Sequence, residues 1–419
     1  MRRPAGLVGP GTAAVVLLLA LLALTALLVP LEVLPGAAPV VDVARDFTPA
    51  ELAREQAFRG ALRPPAYGSL LLGVAVAVAL GFTRLGARLV EAVARPLGGG
   101  WVWQVLLGTL ALGAVGRLVT LPLDVRSEQV LRRYGLSTQD WASWAGDAGK
   151  GLLVGTALAA LALLAVLALA RRAPRTWWAW GAGTLAALVM AGSFGYPLVV
   201  EPVFSSFTPL PAGELREDLL TLARQDGVPV DEVLVADASR RTTALNAYVS
   251  GFGSTRRIVL YDTLLRDSAP AEIRMIVAHE LGHAERGDVR NGSVLGAVGA
   301  AAALCVFGRL LQWPALLARA GAAGPGDPRV VPLVLAVVAV GTLLVTPAVN
   351  VVSRQVEARA DLHALQLTGD VGTFIDLQRS LAVRNLSDLR PGLVPGALAT
   401  HPSPPERIAL ARAFEQRRR

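Results

Sequence analysis

The chain has 419 residues and a formal net charge of +8, and 53% of its residues are hydrophobic whereas 17% are charged. This composition is too apolar for an ordinary soluble protein and indicates a membrane protein. The arginines stand at the ends of apolar runs, so they are attributed to membrane topology and anionic headgroups, and no nucleic-acid partner is expected. The single cysteine, Cys305, excludes an intrachain disulfide and a cysteine-rich metal site.

Seven apolar segments are long enough to cross a lipid bilayer. They cover residues 12–29, 70–82, 102–123, 152–170, 177–200, 293–311 and 330–352. Between the first two, residues 31–66 predict a polar loop with a short helix over residues 49–58. A cleaved signal peptide ending near Gly36-Ala37-Ala38 is the alternative for the first segment, but its long apolar core favours a retained membrane helix.

Residues 201–292 change in composition and predict a small α+β unit between membrane spans. Residues 215–224 follow an amphipathic helical pattern, which ends before Gly227 and Pro229. Three strands are predicted, and they cover residues 233–236, 245–249 and 257–261.

The motif that follows is His279-Glu280-Leu281-Gly282-His283, an H-E-x-x-H sequence within an apolar pattern of helical period. Residues four apart on a helix share one face, so His279 and His283 can hold one metal ion together. Their nitrogens suit tetrahedral Zn²⁺, and Glu280 can take a proton from a metal-activated water, which is the chemistry of a zinc peptidase. The alternative is a chance match on an ordinary surface helix. Gly282 indicates close packing against another element, because glycine is costly inside a helix.

A third metal ligand is expected on a helix that follows the last apolar segment. Glu357 and Asp361 are four residues apart there and share a face. We assign Glu357 as the third ligand and Asp361 as the carboxylate that orients a ligating histidine through its far ring nitrogen. The alternative is a solvated acidic face paired with Arg354 and Arg359. His363, on the same helix, is predicted to point elsewhere and not to bind the metal.

These assignments divide the chain into four parts. An amino-terminal membrane domain of five helices comes first, then an α+β catalytic unit with the H-E-x-x-H helix, then two membrane helices, and finally a tail with the third ligand. The boundaries are residues 1–200, 201–292, 293–352 and 353–419.

Five separated blocks carry a resemblance to a known family. The chain resembles the integral-membrane zinc metallopeptidases of the CAAX prenyl protease 1 family from about residue 128 to residue 408. The matching residues are His279 to His283 with Gly287-Asp288, Ser353-Arg354 with Glu357 and Ala360-Asp361, Leu245 to Tyr248 with Gly251-Phe252-Gly253 and residues 257–265, Tyr134 to Ser137 with Asp147, Gly151, Tyr196-Pro197 and residues 202–204, and His401-Pro402 with Glu406-Arg407-Ile408.

The resemblance implies an all-α polytopic membrane protein, whose seven or so transmembrane helices enclose a water-filled chamber, with a small inserted α+β zincin-like catalytic unit. It implies one zinc ion per chain, a peptide or protein substrate, with lipidated substrates left open, and a monomer. The Ala-, Arg- and Val-rich composition and the short loops favour a prokaryotic source, in which the protein would lie in the cell membrane. The roles that the resemblance implies are zinc ligation by His279, His283 and Glu357, general base catalysis by Glu280, contact with the substrate or the tetrahedral intermediate by Asn246 and His401, strand pairing with the substrate by Asn246, Ala247 and Tyr248, and assistance by Arg407.

Two other functions fit the same motifs. One is a quality-control protease for damaged membrane proteins, and the other is a non-catalytic membrane scaffold that uses the H-E-x-x-H helix as a metal clip. The arginine counts on the two sides of the membrane favour the two possible orientations almost equally. Arg2, Arg3 and the arginines of residues 84–95 and 171–175 place the catalytic part outside, whereas those at 286, 290, 354 and 359 favour the cytoplasmic arrangement usual in the family, which we adopt.

Overall fold

The computed structural model describes residues 9–30, 32–34, 40–251 and 256–419. The predicted Gly36-Ala37-Ala38 cleavage segment, Arg2, Arg3 and the Phe252-Gly253 turn lie outside these residues. In chain order the helices are α1 (Pro10–Leu28), α2 (Val43–Asp46), α3 (Pro49–Gly81), α4 (Arg84–Ala94), α5 (Trp101–Arg133), α6 (Trp141–Arg172), α7 (Trp177–Val199), α8 (Glu201–Phe204), α9 (Glu214–Gln225), α10 (Asp262–Asp267), α11 (Pro270–Arg286), α12 (Asp288–Leu310), α13 (Pro314–Ala320), α14 (Val331–Thr368), α15 (Val371–Arg384), α16 (Leu393–Leu398) and α17 (Pro404–Arg418).

Seven of the described helical segments are long and apolar enough to cross a membrane, so the predicted number of spans is confirmed. Their surfaces carry exposed apolar side chains, among them Leu22 at 68% and Leu344 at 73% exposure, which suit contact with lipid. Within the bundle α12 packs against α1 and α7, and α3 packs against α5 and α14. The segments are Pro10–Leu28, Pro49–Gly81, Trp101–Arg133, Trp141–Arg172, Trp177–Phe204, Asp288–Leu310 and Pro328–Thr368.

The short helix predicted over residues 49–58 is present, but it is the start of α3, which continues from Pro49 into the membrane span, so the loop predicted after residue 58 is wrong. Thr48 and Glu51 form a capping box that starts this helix. The polar residues that suggested a loop form a charged helix face instead. Arg63 pairs with Asp388 on that face, so the charges attach α3 to the carboxyl-terminal region.

α14 joins two regions that the sequence separates. It is one helix of 38 residues that contains the last membrane span and also the segment with Glu357 and Asp361. Pro347 lies inside the helix and does not end it, as is common where neighbouring helices support a membrane segment. The third predicted ligand is therefore held on the same rigid element as the membrane anchor.

Four strands form one sheet, in the order β1-β2-β4-β3. β1 pairs antiparallel with β2, β2 pairs parallel with β4, and β4 pairs antiparallel with β3. The three predicted strands are confirmed to within two residues. The first strand has no predicted counterpart, because three residues ending in proline carry no alternating pattern. The strands are β1 (Phe207–Pro209), β2 (Glu232–Ala236), β3 (Ala247–Ser250) and β4 (Arg257–Tyr261).

A single hydrophobic core fixes the sheet to the helices around the H-E-x-x-H motif. Leu222 of α9, Ile258 of β4 and Val277 of α11 are fully buried in it, together with side chains of α14, α15 and α17. This packing holds β3 beside α11, at one edge of the sheet. The predicted fold class, a polytopic helical membrane protein with a small inserted α+β unit, is confirmed.

Candidate metal centre

α11 is a well-defined helix that presents the motif to α14. It begins at Pro270, where a missing backbone N–H costs nothing, and the Glu272 carboxylate accepts a 2.9 Å hydrogen bond from the Ala269 N–H. Val277 and Leu281 are fully buried in the core, so they fix the rotation of the helix. The two histidines of the motif then face the α14 segment that carries Glu357.

His279, His283 and Glu357 bring three ligand atoms to one point. His279 Nε2 is 3.2 Å from His283 Nε2 and 3.3 Å from Glu357 Oε2, and His283 Nε2 is 3.5 Å from Glu357 Oε1. Atoms bound to one tetrahedral zinc ion at about 2.0–2.1 Å stand about 3.3–3.4 Å apart. Among the described residues these three form the one group of histidines, cysteines and carboxylates that is close enough to hold a metal ion.

The outer nitrogens of both histidines are already occupied. His279 Nδ1 is 2.9 Å from Asp361 Oδ1, and His283 Nδ1 is 2.9 Å from Asp288 Oδ2. When each Nδ1–H donates to its carboxylate, each Nε2 presents a lone pair, and the two lone pairs face each other beside the Glu357 carboxylate. Glu357 Oε2 is buried and has no hydrogen-bond partner among the described residues. Such a set of facing acceptors fits a divalent cation.

Titration of the site supports the same conclusion. Burial alone would lower the pKa of His279, but the neighbouring Asp361 and Glu357 carboxylates outweigh it and raise that pKa to about 10. A site that favours a proton so strongly between carboxylates also favours a metal cation in its place. Burial raises the pKa of Glu280, and the charges of His279 and His283 only partly oppose that shift. A raised pKa brings this carboxyl closer to the range useful for a general base at neutral pH.

Asp361 is held by the carboxyl-terminal helix. Its carboxylate is fully buried and accepts hydrogen bonds from Arg407 of α17, one of them 2.8 Å from Nε. The Arg407 guanidinium also lies 3.4 Å from His279 Nδ1. Asp361 therefore lies next to the outer nitrogen of a ligand histidine, as the sequence suggests, and Arg407 holds its carboxylate there by hydrogen bonds. The predicted contact of Arg407 with substrate stays a prediction.

The space beside the ligands is lined by the other predicted residues. Asn246, Glu280, His401 and Arg407 all border a small cavity of about 100 Å³ next to His279. Asn246, His401 and Arg407 also border an open cavity of about 910 Å³ that leads away from it. His401 Nε2 is 3.4 Å from Glu357 Oε2, and its side chain is 59% exposed. The structure therefore brings the motif, the residue that precedes β3 and the carboxyl-terminal region to one place.

The predicted β3 residues differ in what they can offer to a substrate. The Ala247 side chain is buried in the core, and the Tyr248 ring packs edge-on against Tyr261, with their centroids 6.5 Å apart. Any contact of these two residues with a peptide would therefore be made mainly by the backbone. His363 is outside the ligand group, as predicted, and its Nε2 lies 2.9 Å from Asp226 Oδ1.

Two residues near the metal ligands have no predicted role at the site. Asp288 contacts His283, and Arg359 donates to Asp288. Gly287-Asp288 stands in the sequence as part of the family resemblance, but no spacing rule connects it with a ligand. From the sequence, Arg359 is expected as an ion-pair partner for acidic residues of its own helix and enters the arginine count for membrane orientation, but it has no predicted role at the site.

Comparison with known proteins identifies the family. The family model "Peptidase family M48" matches residues 209–415, and the model "CAAX prenyl protease N-terminal, five membrane helices" matches residues 61–206. The chain is 34% identical over 307 residues to "Uncharacterized metalloprotease YhfN" of Bacillus subtilis (strain 168), which covers 73% of this chain and 72% of that protein. The chain belongs to peptidase family M48.

Further relatives of this M48 peptidase agree with the resemblance noted from the sequence. The chain is 30% identical over 182 residues to "CAAX prenyl protease 1" of Saccharomyces cerevisiae, and the matched region covers 43% of this chain and 40% of that protein. The crystal structure of S. mikatae Ste24p matches with a TM-score of 0.76 at 21% identity, over 98% of this chain and 100% of that chain, so the two share a fold. The resemblance to CAAX prenyl protease 1 is confirmed, and the chain is a multi-pass membrane metallopeptidase that acts on peptides or proteins.

The close packing predicted at Gly282 gives a test of the site's rigidity. A Cβ at this position would lie 3.0 Å from three side-chain atoms of His363, so in Gly282→Ala the His363 side chain has to move by a few tenths of an ångström. We expect the M48 peptidase to lose about 1–3 kcal/mol of stability, measured as a lower midpoint of thermal unfolding in detergent. Gly292→Ala is the control, since a Cβ there meets nothing within 4 Å. Both substitutions gain the same helix propensity, so a midpoint for Gly282→Ala as high as that of Gly292→Ala would contradict the packing.

Proposed function

We propose that this M48 peptidase is a zinc endopeptidase that cleaves extended segments of peptides or protein tails, with His279, His283 and Glu357 as metal ligands and Glu280 as the general base. The observation that carries the proposal is the spacing of 3.2, 3.3 and 3.5 Å among the three ligand atoms. Glu280 borders the small cavity beside them, where a scissile peptide bond would lie.

A zinc ion in this ligand set would polarise the substrate carbonyl and activate a water for attack. Glu280 would accept the proton from that water and pass it to the leaving nitrogen, for which its half-buried carboxyl with a raised pKa is suited. His401 is largely exposed, and its Nε2 lies near Glu357 Oε2. From there its ring, like the Asn246 side chain, would donate a hydrogen bond to the oxygen on which negative charge develops.

The edge of the sheet provides a way to hold an extended substrate. β3 pairs only with β4 among the described strands, so its other edge has backbone groups available beside the site. A peptide that added to this edge would be held by its main chain, whatever its sequence. The side chains of Ala247 and Tyr248 are engaged elsewhere, which supports recognition of backbone rather than of particular side chains.

Zinc as the metal, one ion per chain and a monomeric state are part of this proposal. The chemistry of the donor set supports zinc, since two imidazoles and one carboxylate form a typical catalytic zinc site. The four-part division of the chain and the use of lipidated substrates also belong to the proposal.

Removal and replacement of the metal tests the proposed function. Purified protein should contain about one zinc per chain by elemental analysis. Treatment with a strong chelator should abolish hydrolysis of an unfolded, fluorescently labelled peptide, and one equivalent of zinc should restore it. Full activity after the metal has been removed would refute the proposal. The same peptide with and without a farnesyl group tells whether lipidation is required.

A further inference from the structure

Each of the two proposed ligand histidines contacts, through its outer ring nitrogen, a carboxylate that in turn pairs with an arginine. Behind His279, the Asp361 carboxylate is held by Arg407. Behind His283, a second carboxylate and a second arginine form a matching chain. We call this series of contacts, His283–Asp288–Arg359, the outer chain. It differs from the series behind His279 because it leads out of the α+β unit and ends at a membrane helix.

The outer chain consists of three contacts. His283 Nδ1 lies 2.9 Å from Asp288 Oδ2. The other oxygen of the same carboxylate, Oδ1, accepts a hydrogen bond from Arg359 Nη2, and Arg359 Nη1 donates to the Leu28 carbonyl at 3.3 Å. Leu28 is the last residue of α1. Carbonyls in the last turn of a helix have no partner within it, so Arg359 satisfies an acceptor that would otherwise need water.

The backbone turn between the motif and α12 allows Asp288 to contact His283. Gly287 adopts φ +65° and ψ +39°, a left-handed conformation that ends α11 and reverses the chain into α12. Asp288 is the first residue of α12 and folds back over His283 because of that turn. Asp288 and Arg359 are 13% and 20% exposed, so the ion pair is largely shielded from water and from salt.

We propose that Asp288 and Arg359 are positioning residues for the metal ligand His283, and that the carboxyl end of α1 is part of the same support. This inference rests on the proposed metal site. Asp288 fixes the tautomer and the rotation of the His283 ring, so that Nε2 points at the metal position. Arg359 fixes the Asp288 carboxylate and ties it to the Leu28 carbonyl. The first membrane helix thereby contributes one contact to the support of His283.

The proposal requires an arginine at position 359, because the side chain has to donate to the Asp288 carboxylate and to the Leu28 carbonyl at the same time. A guanidinium offers separate N–H groups in a fixed plane, so Arg359 can donate to Asp288 and Leu28 at once. A lysine would preserve the charge but not the paired geometry. If charge alone mattered, Arg359→Lys would behave as the wild-type protein does.

Zinc affinity of the full-length protein is the decisive measurement, made in detergent by competition with a chromophoric chelator. Asp288→Ala should weaken zinc binding about 10- to 100-fold. Asp288→Asn should weaken it less, because the amide oxygen still accepts from the His283 N–H. Arg359→Lys should weaken it at least several-fold. KM for the peptide should stay unchanged in all three, since none of these side chains lies at the substrate edge of the site.

Arg290→Ala is the matched control, because Arg290 is exposed on the same turn of α12. Zinc affinity equal to wild type in Asp288→Ala would overturn the inference, as would a lower unfolding midpoint or a higher KM with unchanged zinc affinity. Failure of the wild-type protein to bind zinc would instead refute the proposed function, so the two failures are distinguishable.

Discussion

Glu280→Gln is expected to lower kcat for peptide hydrolysis by about 10²- to 10⁴-fold while zinc remains bound. Glutamine has nearly the shape of glutamate but cannot accept a proton at neutral pH. Glu280 borders the small cavity beside the metal ligands without being one of them, so the substitution leaves His279, His283 and Glu357 in place. Elemental analysis and turnover of a labelled peptide on the same preparation measure both quantities.

The control for this variant is Glu285→Gln. Glu285 lies on the same helix, and the chemical change is identical, but its side chain is exposed and paired with Arg286 at 2.8 Å. Its kcat should equal that of the wild-type protein. If Glu280→Gln kept wild-type turnover, another group would have to take the proton, and the proposed mechanism would be wrong.

Glu357→Ala is expected to weaken zinc binding by more than about 100-fold, since groups that merely orient a ligand already contribute 10- to 100-fold. The substitution removes one of three ligand atoms and leaves two imidazoles, which cannot complete a catalytic site. Hydrolysis should be lost at micromolar zinc. Chelator competition gives the affinity, and the thermal midpoint with and without zinc shows whether the metal still stabilises the protein.

Gln355→Ala provides the comparison, because it shortens a side chain of similar size two residues earlier on α14. It should bind zinc as the wild-type protein does. Tight zinc binding that survives Glu357→Ala would mean that a different group supplies the third ligand.

Local signals in the sequence predicted much of the site. The i, i+4 spacing of His279 and His283, and that of Glu357 and Asp361, fixes which side chains share a helix face. The approach of the two helices to each other does not follow from either spacing. It depends on the packing of α11 against α14, which the glycine at position 282 indicates only in general terms.

Other features could not be predicted because they depend on distant contacts. The sequence predicts only a short helix at the start of α3 and a loop after it, because charged residues such as Arg63 have partners more than 300 positions away, in this case Asp388. Asp288 and Arg359 likewise meet only in the folded chain. Membrane spans, by contrast, are predicted well, because every backbone group in lipid must be satisfied within its own helix.

The uninterrupted length of α14 has a mechanical consequence. With 38 residues the helix is about 57 Å long, whereas the hydrocarbon interior of a bilayer measures about 30 Å. Part of α14 therefore extends beyond the bilayer, and this part carries Glu357. If the tilt of α14 changes in a thicker or thinner membrane, Glu357 is displaced. We therefore expect the rate of peptide hydrolysis to depend on the acyl-chain length of the host membrane.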